Sequence, residues 1–328
     1  MLRKICIVGA GAIGGFIGAR LALAGHSEVS ALARGATLAA LQTHGWRLQM
    51  GGQSFTTPAP ASAHPHALGV QDLVIIAVKG PALEALAPTL APLLGPHTVV
   101  LPAMNGVPWW FCDGVEGWDG APLRAVDPLG RIAATIPVEQ VLGCVVHASC
   151  SCPEPGLVLQ GSGQKLIVGE PRGGRSERAA AVAALLSAAG FDADVSDDVR
   201  YEVWYKLWGN LNMNPLSALT GATTDRLLDD PLVLQFCATV MGEAAAVGRA
   251  VGCHVTQTAE DRFAVTRKLG VFKPSMLQDA EAGRPLELDA IVTAVHEIGQ
   301  RRGVPTPGID ALLGITRVFA RQHGLYPA

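Results

Sequence analysis

Short runs of apolar and β-branched residues alternate with alanine- and leucine-rich stretches along the first third of the chain. Ile5 to Val8, Glu28 to Ala33, Leu73 to Val78 and Thr98 to Leu101 have the length and composition of strands, and Ile13 to Ala24 that of a helix. Strands alternating with helical patterns imply a parallel, doubly wound sheet. Gln140 to His147, Leu157 to Leu159 and Lys165 to Val168 extend the strand pattern, and the helix Glu177 to Ala189 stops at Gly190, a natural C-cap. After an acidic turn over Asp192 to Asp198 the strand signal ends. Tyr201 to Leu219, Pro231 to Val251, Ala259 to Leu269, Ser275 to Ala282, Leu288 to Arg302 and Asp310 to His323 read as helices, with glycine or proline at most joints. The expected fold class is α/β: a doubly wound parallel sheet over residues 1–197, followed by an all-helical C-terminal domain over residues 198–328.

The chain has 328 residues, enough for two domains with sizeable cores. Hydrophobic residues make up 49% and charged residues 16%, a balance that excludes a disordered chain. A net charge of -3 offers no basic surface to neutralise a run of phosphates, so no nucleic acid is expected as a partner. The N-terminus mimics a secretory signal, with Arg3 and Lys4 ahead of the apolar run Ile5 to Ala19. Gly9, Gly11, Gly14, Gly15 and Gly18 would weaken a signal helix, and Arg20 cuts the run short of the roughly 20 residues of a membrane span. No other stretch looks long enough, and no membrane partner is expected. Seven cysteines, an odd number scattered from Cys6 to Cys253, do not suggest a disulfide framework and favour a reducing cytoplasm. His147, Cys150 and Cys152 cluster, but they lack a second ligand pair at zinc-site spacing and are read as strand and turn filler, with no metal expected. Base rates for enzymes of this size favour a homodimer.

Chemistry enters at Gly9-Ala10-Gly11-Ala12-Ile13-Gly14, which follows the first strand and opens the first helix. In that context the motif is a dinucleotide loop: Gly9 permits the turn, Gly11 lets backbone approach a pyrophosphate, and Gly14 lets helix pack on strand. The N-terminus of the helix, at Ala12 and Ile13, supplies donors and positive potential. The first domain is thus of Rossmann type. An NAD-binding chain would place an acid at the end of the second strand to hold the ribose 2′-hydroxyl. Here that stretch reads Ser30-Ala31-Leu32-Ala33-Arg34-Gly35, and the guanidinium of Arg34 suits a 2′-phosphate instead, so NADP is the expected cofactor. Lys79 and Asn105 each stand just past the carboxyl end of an expected strand, where open α/β sheets make ligand contacts.

In the helical half, Lys206, Asn210 and Asn214 fall four apart, one polar stripe on a helix otherwise rich in aromatic and aliphatic groups, and Glu202 continues it. Such a stripe faces a cleft or, alternatively, bulk water. A desolvated lysine is a workable proton donor, which hydride addition to a ketone requires, and neighbouring amides can orient substrate. Ser275 and Gln278 have the spacing of a capping box, and Glu287 by itself reads as a surface carboxylate.

Taken with Ala33-Arg34-Gly35, Val78-Lys79, Asn105-Gly106, Glu202 to Leu207, Asn214-Pro215-Leu216, Ser275 to Asp279 and Glu287-Leu288-Asp289, the chain resembles the ketopantoate reductase (2-dehydropantoate 2-reductase) family over nearly its whole length. The resemblance implies NADPH as hydride source, a small 2-keto acid as substrate and reduction of ketopantoate to (R)-pantoate in pantothenate biosynthesis. It further implies catalysis by Lys206 with Glu287, and substrate binding by Asn210, Asn214 and Ser275. Asn105 would sit near both the nicotinamide and the reacting carbonyl. Two departures bear on the substrate: Val292-Thr293 stands where the family has Asn-Gly, and residues 108–136, with Trp109, Trp110 and Trp118, look longer than usual. A related reductase of a bulkier 2-keto acid is the first alternative, and a noncatalytic NADP-binding sensor the second.

Overall fold

The computed structural model describes residues 2–327, which form two compact units. Residues 2–104 and 129–202 make unit 1; residues 105–128 and 203–327 make unit 2. This differs from a single division at 197/198, because the tryptophan-rich stretch packs with the helical residues.

Unit 1 contains β1 (Lys4–Val8), α1 (Ala12–Ala24), β2 (Glu28–Leu32), α2 (Gly35–His44), β3 (Trp46–Met50), β4 (Gln53–Thr57) and β5 (Ala61–Ser62). It continues with β6 (Leu73–Ile76), α3 (Gly80–Leu86), β7 (Val99–Pro102), α4 (Arg131–Thr135), β8 (Gly143–Glu154), β9 (Leu157–Gly169), α5 (Glu177–Ala188) and β10 (Asp192–Val195). The first sheet runs β5-β2-β1-β6-β7 and is parallel throughout. All residues of β6 and β7, and Ile5 to Val8 of β1, are buried, as strands covered on both faces require.

A second sheet, in the order β10-β9-β3-β4 with β8 also paired to β9, was less visible in the sequence. Leu157–Leu159 and Lys165–Val168 are the two ends of one strand, β9. The acidic stretch expected as a turn supplies β10 instead, parallel to β9. Its alternation exposes Asp192 and Asp194 and half-buries Ala193 and Val195, the pattern of a charged edge strand.

The glycine-rich N-terminal run is explained by what α1 packs against. A Cβ on Gly15 would stand 2.6 Å from Val158 of β9, and one on Gly18 would stand 2.5 Å from the Trp46 ring of β3. Glycine lets α1 lie close to the second sheet. Arg20, which interrupts the apolar run, is buried but paired: Nε donates to Ala189 O at 3.0 Å, Nη1 to Gln164 Oε1 at 3.1 Å, and the guanidinium lies 4.4 Å from the Phe191 ring centroid.

Unit 2 holds α6 (Val199–Thr220, its first turn in unit 1), α7 (Thr224–Asp229), α8 (Pro231–Arg249), α9 (Ala259–Arg267), α10 (Ser275–Glu281), α11 (Ala294–Arg302) and α12 (Pro307–Gln322). The helix expected over Leu288 to Arg302 is divided, with a π-turn at Asp289–Thr293 ahead of α11. α6 is fixed to α8 by its tryptophans: Trp204 Nε1 donates to Ala244 O at 3.2 Å and Trp208 Nε1 to Met241 O at 2.8 Å. Phe111 stacks on Trp204 with centroids 5.5 Å apart. Truncating the fully buried Trp204 to alanine should cost about 3–5 kcal/mol. Contrary to the sequence expectation, one further stretch is long and apolar enough to cross a membrane, and it is α8. Within unit 2 this helix buries Cys237, Val240, Met241, Ala244 and Val247, and the Glu243 carboxylate accepts the Gly308 and Ile309 N–H groups at the start of α12.

Candidate active site

The candidate nucleotide site of unit 1 is built from backbone. Gly9 has φ +90, and a Cβ there would strike Val78 Cγ1 at 2.6 Å. On Gly14 a Cβ would lie 2.0 Å from Gly9 O, whereas on Gly11 it would meet nothing within 4 Å. The geometry at the three glycines is the one the motif calls for: a turn at Gly9, open space at Gly11, and close packing at Gly14. Gly11 caps α1 with no side-chain hydrogen bond and there is no acid in the first turn, which leaves the donors around Ala12 and Ile13 for an anion.

A groove of about 410 Å³ opens at this loop, lined by Gly9, Gly11, Ala33, Arg34, Thr37 and Val78 among others. Arg34 is exposed at the N-cap of α2, and no carboxylate lines the groove. Thr37, in the first turn of α2 and not singled out from the sequence, lines the same groove. Lys79 takes the N-cap of α3, directly after groove residue Val78. The donors and the shape fit an adenine dinucleotide.

In unit 2 the site is built from side chains. Asn105 lies three residues beyond β7, and its Oδ1 accepts a hydrogen bond of 2.7 Å from Lys206 Nζ. Asn105 and Lys206 are both half-buried. Asn210 follows one turn along α6, and Asn214 one turn further at 4% exposure, its Nδ2 buried without a hydrogen-bond partner among the described residues. Pro215 sits inside α6 and removes the N–H that would have bonded to the Leu211 carbonyl.

Glu202 lies one turn before Lys206 on α6, as expected, and burial pushes its carboxyl above the usual carboxylate range against the opposing pull of Lys165. There is no capping box at Ser275: Pro274 takes the N-cap position, Ser275 is the exposed first residue of α10, and the Gln278 amide donates to Lys273 O. The place of Ser275 in the site rests on the resemblance. Glu287 is half-buried in the segment just ahead of the π-turn.

The tryptophan-rich stretch goes into the core of unit 2. Trp109, Trp110 and Phe111 are 9%, 3% and 0% exposed. The stretch is tied to α11, where Glu297 accepts the Arg124 and Ala125 N–H groups, Arg302 donates to Glu116 O and Gly117 O, and Arg301 lies 4.9 Å from the Trp118 ring. These large apolar groups are spent on packing.

A phosphate-binding glycine loop on a parallel sheet, and an amide-held lysine on a helical unit, define the class as a nicotinamide-dependent oxidoreductase. Comparison with known proteins carries the assignment further. Residues 5–173 match the family model "Ketopantoate reductase PanE/ApbA", and residues 198–320 match "Ketopantoate reductase PanE/ApbA C terminal". The 2-dehydropantoate 2-reductase of Mesorhizobium japonicum is 44% identical, covering 98% of this chain and 99% of its own. A crystal structure from Ralstonia solanacearum MolK2, assigned to the ketopantoate reductases, is 56% identical with a TM-score of 0.96, covering 99% of this chain and 100% of its own. The 2-dehydropantoate 2-reductase structure from Geobacter metallireducens GS-15 is 27% identical with a TM-score of 0.84, over 96% and 99% of the two chains. The chain belongs to the ketopantoate reductase family.

Proposed function

We propose that this protein reduces 2-dehydropantoate to (R)-pantoate with NADPH, a step of pantothenate biosynthesis. The observation that carries the reading is the Lys206–Asn105 bond on the polar stripe of α6. Reduction of a 2-keto acid adds hydride to the carbonyl carbon and a proton to its oxygen. NADPH, when bound, supplies the hydride. Lys206 supplies the proton from Nζ as negative charge develops on the oxygen. Asn105 Oδ1 takes one of the three Nζ–H bonds and so fixes where the other two point. An amide does this without the negative charge of a carboxylate, which would hold the proton on the lysine more tightly.

Asn210 and Asn214 offer amide donors at intervals of about 6 Å along the helix, suited to the carboxylate and hydroxyl of the substrate. Glu287 and Ser275 complete the constellation by their match to the family pattern. The preference for NADPH over NADH is assigned to Arg34, because the groove it lines has no carboxylate for a free 2′-hydroxyl. Seven cysteines with no pairing pattern support a cytoplasmic location. Burial of Trp109, Trp110 and Phe111 favours a small substrate over the bulkier 2-keto acids. The test is NADPH oxidation across a panel of 2-keto acids. Ketopantoate should lead in kcat/KM by orders of magnitude; no turnover of it, while an aryl 2-keto acid is reduced, would overturn the reading.

A further inference from the structure

The reaction alone does not explain why the helix after Glu287 opens with a π-turn. In an α-helix each interior carbonyl accepts the N–H four residues on; at Asp289–Thr293 the spacing widens, and Ala294 N–H bonds to Asp289 O. Such turns are rare and frequently mark functional sites. Here the carbonyl of Ala290 accepts the Val107 N–H at 2.8 Å. Gly106, with φ +81, lies so close beneath it that a Cβ would be 2.5 Å from the Ala290 oxygen. The residue before Gly106 is Asn105, the partner of Lys206. The turn therefore sets the height of the loop that holds the proton donor.

The same turn is gripped by the segment that follows α12. Leu286 N–H donates to Leu325 O at 2.9 Å, and the Tyr326 hydroxyl donates to Asp289 Oδ1 at 2.5 Å. These two bonds bracket Glu287, one residue before it and two after. Asp289 Oδ1 also takes the Thr293 hydroxyl at 3.0 Å, which braces the turn from within. Burial, reinforced by Asp289, pushes the Tyr326 hydroxyl up to about 12.

We propose that Tyr326 is a positioning residue for the reduction: by holding Asp289 it fixes the turn that presents Glu287 and, through the Ala290 carbonyl, Asn105 and Lys206. The inference rests on the assignment of Lys206 and Glu287 to catalysis. Tyr326→Phe keeps the ring and removes the hydroxyl. It should lower kcat by about 10- to 100-fold, the scale of a misplaced catalytic group, with NADPH affinity and melting temperature nearly unchanged. Asp289→Ala, which removes the acceptor, should lower kcat at least as far, and the double variant should be no worse than Asp289→Ala alone. The pH profile of kcat should also shift in Tyr326→Phe, which a general loss of stability would not cause. A kcat within about twofold of wild type, or fully additive losses in the double variant, would overturn the inference. Lys206→Ala and Glu287→Gln, measured alongside, separate the two levels. If both are crippled while Tyr326→Phe is not, the positioning role alone is wrong; if both are active, the site assignment itself fails.

Discussion

The two units bind with opposite materials. In unit 1 the groove is shaped by main chain: glycines with no room or no obstacle at Cβ, an uncapped helix start, and one arginine at its edge. In unit 2 the site is side-chain chemistry on a rigid helix, a lysine and two amides spaced by the helical turn. A backbone site fails when volume is added to it; a side-chain site fails when a functional group is taken away. Under the proposed function, one unit recognises the cofactor and the other handles the proton.

Lys206→Ala should show the largest effect, lowering kcat by about two to four orders of magnitude while NADPH affinity, followed by fluorescence titration, stays at the wild-type value. A folded variant that kept about a third of wild-type kcat would break the division of labour and send the search for the donor to Glu287 or Lys79. Arg34→Ala is expected to weaken NADPH by about 10- to 100-fold, the worth of charge-assisted bonds to a 2′-phosphate, and to leave NADH almost unaffected. Equal losses for both cofactors would make Arg34 a structural residue.

The glycines sharpen the comparison within unit 1. Gly11→Ala adds its methyl group to open space, so the melting temperature should hold while NADPH affinity falls by about tenfold, or about 1.4 kcal/mol. Gly14→Ala forces a clash with Gly9 O and should cost about 1–3 kcal/mol of stability even without cofactor. A melting curve and a binding isotherm for each variant separate the cases.

The smallest effect is in the response to acid. Arg178 holds the Glu170 carboxyl below the usual carboxylate range, and the Ser176 hydroxyl adds to this against the opposing effect of burial. Because the folded value is depressed, the stabilisation is present above the unfolded glutamate value of about 4.3 and is lost as pH falls through the folded value. Arg178→Met should lower the melting temperature at neutral pH and flatten its decline toward acid. An unchanged acid limb would show that other carboxylates control it.

Legibility followed the same division of materials. The strand, loop and helix around Gly9 are consecutive in sequence and were readable, as was the stripe from Lys206 to Asn214, because the helical repeat is local. The β3–β4 hairpin was missed although Gly51-Gly52, at φ +58 and +76, is a two-residue turn signal of the I′ kind. The strand patterns of β8 and β9 were readable, but β10 was not, since it is a short edge strand whose aspartates look like a turn. The π-turn was hidden because one widened hydrogen-bond ring hardly disturbs an apolar pattern running through Ile291 and Val292. The Asn105–Lys206 bond joins residues 101 apart, and the grip of Tyr326 on Asp289 spans 37; neither separation leaves a periodic trace.

Because residues 105–128 pack with a unit whose remainder begins at 203, the order of synthesis matters. Phe111 leaves the ribosome well before Trp204, the ring it stacks on. At about 5–20 residues per second, the roughly ninety intervening residues take on the order of 5 to 20 s to make. For that interval Trp109, Trp110 and Phe111 have no completed core to enter, while the chain around them is already assembling strands. The tryptophan-rich excursion thus sets a clock on the nascent protein: the slower its translation between these points, the longer three large apolar side chains wait for their core.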